Sequence, residues 1–170
     1  IAADGSSLLY STYLGGSGRD IITDVKVKAF EQFSGIEYVA YVTGNTESAD
    51  FPTRLNAEDL YLGELSDAFM TQIKMLPNCT NFCGLVYSTY LGGADGPEIG
   101  LGIAVTTDSV FVTGQTCSND FATTADAFDT TLHGACDAFV TRYDDSGGVD
   151  YSTYIGGSNS SDMSHSIFAQ

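Results

Sequence analysis

The string Tyr-Ser-Thr-Tyr-Leu-Gly-Gly occupies residues 10–16 and again 87–93, and it returns at 151–157 with Ile in place of Leu. A seven-residue string written three times in 170 residues marks a repeated supersecondary unit. Such units bury their apolar faces by stacking on one another. The copies begin 77 and then 64 residues apart, so the units differ in length. Two further landmarks locate the difference: Tyr41-Val42-Thr43-Gly44 matches Phe111-Val112-Thr113-Gly114, and Asp67-Ala68-Phe69 matches Asp137-Ala138-Phe139, both at an offset of 70. Relative to the second unit (85–148), the first (6–84) therefore carries seven extra residues around 30–37 and six around 77–84. Both insertions are expected on loops, which absorb length at small entropic cost. A partial third unit spans 149–170, and residues 1–170 read as a single all-β repeat domain.

Short runs rich in Tyr, Thr, Val and Ile, separated by Gly, Asn and Asp, predict strands over 8–14, 21–30, 37–43 and 68–76 in the first unit. The second unit repeats them as 85–91, 102–107, 109–113 and 138–143, and 149–155 and 164–169 begin a third set. Only 56–65 offers a helical turn. Asp144-Asp145-Ser146-Gly147-Gly148 has the composition of a hairpin turn leading into the third Tyr string. The string then closes the sheet before it. Two four-stranded antiparallel sheets are expected, about 20–92 and 97–156, with 8–14 and 164–169 left as unpaired terminal strands. These read as tandem β-propeller-like blades, with a two-sheet β-sandwich as the alternative. The Gly pairs 15–16, 92–93 and 156–157 are expected to leave their strands at positive φ, with no helix after them to make a phosphate cradle.

The phrases Tyr-Ser-Thr-Tyr-Leu-Gly-Gly, Val-Thr-Gly-Gln-Thr, Asp120-Phe121 followed by Ala127-Phe128, the run Gly134 to Arg142 and Asp-Ser-Gly-Gly resemble the bacterial SBBP-type β-propeller repeat over nearly the whole chain. The resemblance implies an extracellular protein of four-stranded blades and supplies no catalytic residues. The first unit departs from it by its two insertions and by Leu65-Ser66 before Asp67. Propellers close with typically 4–8 blades, so two blades would leave long edges open.

Charge and cysteines bound the partners and the compartment. With 22 Asp and Glu against 6 Lys and Arg, the formal net charge is -16, which disfavours nucleic acid and anionic membranes. No apolar run is long enough to span a bilayer, and the start at Ile1 reads as a processed or excised chain. Cys79 and Cys83 both fall in the second insertion. Cys117 and Cys136 are both absent from the first unit, where Glu47 and Ser66 stand. The expected disulfides are Cys79 with Cys83 and Cys117 with Cys136, in an oxidising compartment; no His at ligand spacing supports zinc instead. Asn78 and Asn159 begin N-glycosylation acceptor patterns.

Catalytic signatures are missing. His133 and His165 stand without an activated nucleophile, and no Gly-x-Ser-x-Gly elbow or phosphate-binding loop occurs. The recurring Asp50/Asp120 and Asp67/Asp137 read first as turn caps. Asp95 and Glu98, with Asp144 and Asp145, form acidic loops that qualify as Ca²⁺ ligands. The two Tyr of each string point to opposite sheet faces, one for the core and one free for an interface or a sugar. The expected function is a non-enzymatic extracellular structural or assembly protein. It would be a filament subunit joined head to tail by addition of its terminal strands. The alternative is a binding or adhesion module of a larger cell-surface propeller, with a glycan or protein ligand.

Overall fold

The computed structural model describes residues 4–33, 35–54, 57–75 and 84–170. It is all-β, with no helix among those residues. Eight strands follow in chain order: β1 Asp20–Gln32, β2 Gly35–Thr46, β3 Asp67–Lys74, β4 Leu85–Leu91, β5 Glu98–Val105, β6 Ser109–Thr116, β7 Asp137–Asp144 and β8 Val149–Ile155. They form two antiparallel four-stranded meanders, β1-β2-β3-β4 and β5-β6-β7-β8, with the second and third Tyr strings as the last strand of each. The registers repeat as closely as the sequences do. Thr43 pairs with Met70 where Thr113 pairs with Val140, and a bulge interrupts β1 after Ile22 where another interrupts β5 after Gly100.

The sheets pack face to face in a sandwich-like arrangement, with β5 lying against β1, β2 and β3. Side chains alternate across a strand, and each sheet therefore has two distinct faces. Val39, Tyr41, Met70 and Tyr87 make the front of the first sheet. They share one buried cluster with Ile103, Val110 and Tyr143 from the back of the second. Tyr87 and Tyr143 meet across the joint at 6.4 Å between ring centroids. Each sheet also carries an aromatic set on its back. Phe51 lies 4.6 Å from Phe69 and 6.0 Å from Tyr90, and Phe121 lies 4.8 Å from Phe139 and 5.8 Å from Tyr154. Burying each such ring contributes on the order of 2 kcal/mol.

Four expectations need correction. Residues 8–14 and 164–169 form no strand, because neither finds a ladder partner; the second is tethered at its start by one parallel bridge, Cys136 to Ser161. The first insertion is not a loop but an extension of the β1–β2 ladder, which runs on to Glu31 opposite Ile36 and Gln32 opposite Gly35. No helical turn occurs in 57–65. Of the string glycines only Gly15 has positive φ. At Gly16, Gly92, Gly93 and Gly156 the requirement is space: a Cβ on Gly92 would lie 2.6 Å from the Asp67 carboxyl carbon.

Candidate interaction surface

The repeated turns are held by one carboxylate device. Asp20 accepts hydrogen bonds from Thr46 Oγ1, from Ser48 Oγ at 2.9 Å and from the Gly16 amide at 2.8 Å. Glu98 accepts from Thr116 Oγ1 at 2.7 Å, Ser118 Oγ at 2.6 Å and the Gly93 amide at 3.1 Å. Asp162 accepts from the Gly157 amide at 2.9 Å. In each case a carboxylate four or five residues after the Gly-Gly turn of a Tyr string caps that turn, and Asp20 and Glu98 also open the next strand. A second device lies beside it: the Gly63 amide donates to Asp67, and the His133 amide donates to Asp137 at 2.8 Å. Asp67 and Glu98 are both buried and both abut Gly92. Burial, reinforced by the charges of Glu98, Asp59 and Asp120, pushes the Asp67 carboxyl up to about 7, against the pull of the Gly63 amide. Burial likewise raises Glu98, in spite of its hydroxyl donors.

The Tyr strings earn their recurrence through hydrogen bonds. Tyr90 and Tyr154 each donate a buried hydroxyl to a backbone carbonyl, Ser48 and Ser118, at 2.7 Å. Ser88 and Ser152 pair with Thr71 and Thr141 across the ladder. Tyr87 and Tyr151 accept the amides of Glu58 and Phe128. The outer edges of β4 and β8 are also occupied, since Arg54 and Thr124 donate their amides to Ser88 and Ser152. An added strand would have to displace those loops.

The first string is divided. Leu14 packs on Phe51, Phe69 and Tyr90 as Leu91 packs in the cluster of Phe121, Phe139 and Tyr154. Tyr13, by contrast, is 98% exposed, where Tyr90 and Tyr154 are 1% and 0%.

Most exposed apolar surface on the strands lies on the back of the first sheet. Ile22, Val25 and Val27 of β1 and Ile36 and Tyr38 of β2 share that face and are all solvent-exposed. Val25 corresponds in register to Ile103, which the joint between the sheets buries completely. The opposite outer face, the front of the second sheet, presents Phe111, Val140 and Tyr151 half-buried, and the Arg142 Nε on it is buried without a partner. Contiguous exposed apolar surface of this kind marks interaction sites.

Asp95, Glu98, Asp144 and Asp145 do not make a Ca²⁺ shell. No three acidic, His or Cys side chains among the described residues are grouped to hold a metal. Asp95 takes both the amide and the side-chain amide of Asn119, which lower its carboxyl. Glu98 faces inward, and Asp144 accepts from Ser146 and Gly148 within its own hairpin, which lowers it too. Asp145 is exposed beside the Tyr41–Gln72 groove.

A disulfide joins Cys117 to Cys136, extending the pairing of β6 with β7 by one position. Cys79, Cys83 and Asn78 lie outside the described residues, and Asn159 sits on an exposed turn. His133 faces Asp129 at 3.0 Å, and His165 is exposed. No helix of the described residues is long and apolar enough to cross a membrane.

The composition of 21–30, with Ile22, Val25 and Val27 among polar residues, predicts a strand but not an exposed apolar face. The signal was the alignment of 20–27 with 98–105, which carries the same carboxylate and apolar spacing. No family model and no curated protein matches this chain.

Proposed function

We propose that this is a non-enzymatic, extracellular structural protein whose sheets are successive propeller-like blades and which assembles head to tail with copies of itself. The observation that carries this reading is the open back of the first sheet. The chain already contains one such joint, front of one sheet on back of the next, and it repeats both surfaces at its two outer faces. A surface that meets its complement on another copy makes a ring of subunits where the rotation closes and an open chain where it does not. The disulfide fits an oxidising compartment, and the repeat phrases resembling SBBP-type propellers fit the blade reading. The joint is placed on sheet faces instead of strand edges, because loops already occupy the outer edges of β4 and β8.

One observation favours the adhesion reading. A cleft of about 310 Å³ between the sheets is lined by Glu58, Asp59, Leu91, Ala122, Thr124 and Val149, with room for a small ligand. Light scattering and electron microscopy of the full chain across a concentration series separate the readings. The assembly reading expects mass that grows with concentration, more strongly at higher salt, where repulsion between chains of charge -16 is screened. Monodisperse monomers at every concentration and salt would leave the adhesion reading standing alone.

A further inference from the structure

We propose that the cleft between the sheets binds a primary alkylammonium group, an aliphatic stem ending in an ammonium as in a free amine or a lysine side chain, with Glu58, Asp59 and the Tyr143 hydroxyl as its polar partners. It rests on the adhesion reading of that cleft, to which it adds the ligand class, and it does not depend on assembly between copies.

The cleft departs from the repeat where the fold does not require it. Residues 58 and 128 are equivalent at the offset of 70, and so are 73 and 143; where the cleft has Glu58 and Tyr143, the equivalent positions hold Phe128 and Ile73. The backbone is bonded alike in both loops. The Glu58 and Phe128 amides donate to the hydroxyls of Tyr87 and Tyr151, and the Asp59 and Asp129 amides donate to Thr89 and Thr153 at 2.9 Å. The loop is thus pinned to the edge of its strand whichever side chain it carries, and here the pinning sets two carboxylates on the cleft. The loop's own bonds take Oε1 of Glu58, from the Val149 amide at 3.2 Å, and Oδ1 of Asp59, from the Tyr61 amide at 2.9 Å. The second oxygen of each is left for a ligand.

Tyr143 points to a ligand independently of the carboxylates. Its ring packs against Tyr87 and only 1% of the residue is exposed, yet its hydroxyl hydrogen-bonds none of the described residues. A buried hydroxyl normally finds a partner, as those of Tyr90 and Tyr154 do at Ser48 and Ser118. Tyr143 instead lines the cleft. Burial, together with the charges of Tyr87, Glu58 and Asp59, holds its phenol well above the ordinary range and so protonated.

The lining selects the ligand. Two carboxylates, with no Lys, Arg or His among the described residues around them, favour a cation. An ammonium group has three N–H donors, which match the two carboxylates and the phenol oxygen. Leu91, Ala122 and Val149 make the rest of the wall apolar and suit a methylene stem, for which a volume of about 310 Å³ is ample. A bare metal ion fits less well, because no three acidic, His or Cys side chains among the described residues are grouped to hold one.

Amide NMR titration of the full chain at fixed ionic strength, with n-butylammonium, n-butanol and ammonium chloride as probes, tests the site. Butylammonium is expected to shift Leu91, Ala122 and Val149 saturably, about tenfold more tightly than butanol, which lacks the charge, or ammonium, which lacks the stem. Glu58→Phe, which copies the equivalent position of the second unit, is expected to weaken butylammonium about tenfold and Tyr143→Phe about fivefold, with thermal melts confirming that both fold. Blocked lysine amide binding as well as butylammonium would assign the site to a lysine side chain of a partner, and butylammonium binding alone would assign it to a free amine; the ammonium site stands in both. Butanol binding as tightly as butylammonium, shifts matched by ammonium chloride, or a Glu58→Phe variant that binds like wild type would overturn the cation site and leave a cleft for another ligand. No saturable shift with any probe would overturn it and remove the cleft as support for the adhesion reading as well.

Discussion

The back of the first sheet and the back of the second are built on one pattern and meet two environments. Val25 and Ile103 hold the same register position in strands that open with the same carboxylate cap. Yet Val25 is 50% exposed and Ile103 is 0% exposed. A repeat unit thus encodes a surface suited to burial, and whether it is buried depends on what stacks against it.

The sharpest way to break this comparison is to place the same charge in both positions. Ile103→Asp buries an unpaired carboxylate between the sheets and is expected to cost about 4 kcal/mol or more, enough to threaten folding. Val25→Asp is expected to change monomer stability by no more than about 0.5 kcal/mol. Urea denaturation of both variants checks this, and equal effects would mean the two faces are not equivalent in the way described.

A similar contrast runs through the Tyr strings. Tyr154→Ala removes a buried ring and its bond to Ser118, with an expected loss of roughly 3–5 kcal/mol. Tyr13→Ala, at the exposed copy, should be nearly silent in the same melt. The loops at the sheet ends differ too, because the disulfide closes 117–136 and the matching 47–66 has none. Replacing both Cys117 and Cys136 by Ser should cost about 3 kcal/mol, the value for a closed loop of this length, read as a lower urea midpoint.

The effect of pH is the most gradual, because it is spread over the whole titration range of one carboxyl. Asp67 titrates near 7 in the folded protein and near 3.8 when unfolded, so protonation favours the folded state. Its contribution is fully present below about pH 4 and is lost as pH rises to about 7. The slope is about 1.4 kcal/mol per pH unit at most, and it is flat above that range. Asp67→Asn should flatten the dependence of Tm on pH between 4.5 and 8; an unchanged slope would remove Asp67 as its source.

Much of the fold was legible because the repeat supplies its own alignment. The Asp144 to Gly148 turn set the phase of both sheets, which the ladders follow. Periodicity could not reveal the fate of 8–14 and 164–169. Their strand-like sequences describe a pairing, and no partner strand is there to form it. The acidic residues expected as Ca²⁺ ligands are not grouped among the described residues, for a related reason. Glu98 looks like a loop ligand in sequence, and only the packed turn shows Thr116, Ser118 and Gly93 already bonded to its oxygens. The exposed face of β1 stayed hidden because Val25 and Ile103 are alike as residues and differ only in what stacks on them.

Photocrosslinking tests most directly whether the exposed back of the first sheet meets the front of the second sheet of another copy. A benzophenone amino acid at position 27 of the full-length protein, irradiated at concentrations where the mass has grown, should capture peptides containing Phe111, Val140 or Tyr151 from a neighbouring molecule. Crosslinks confined to other surfaces, or none between molecules, would contradict it.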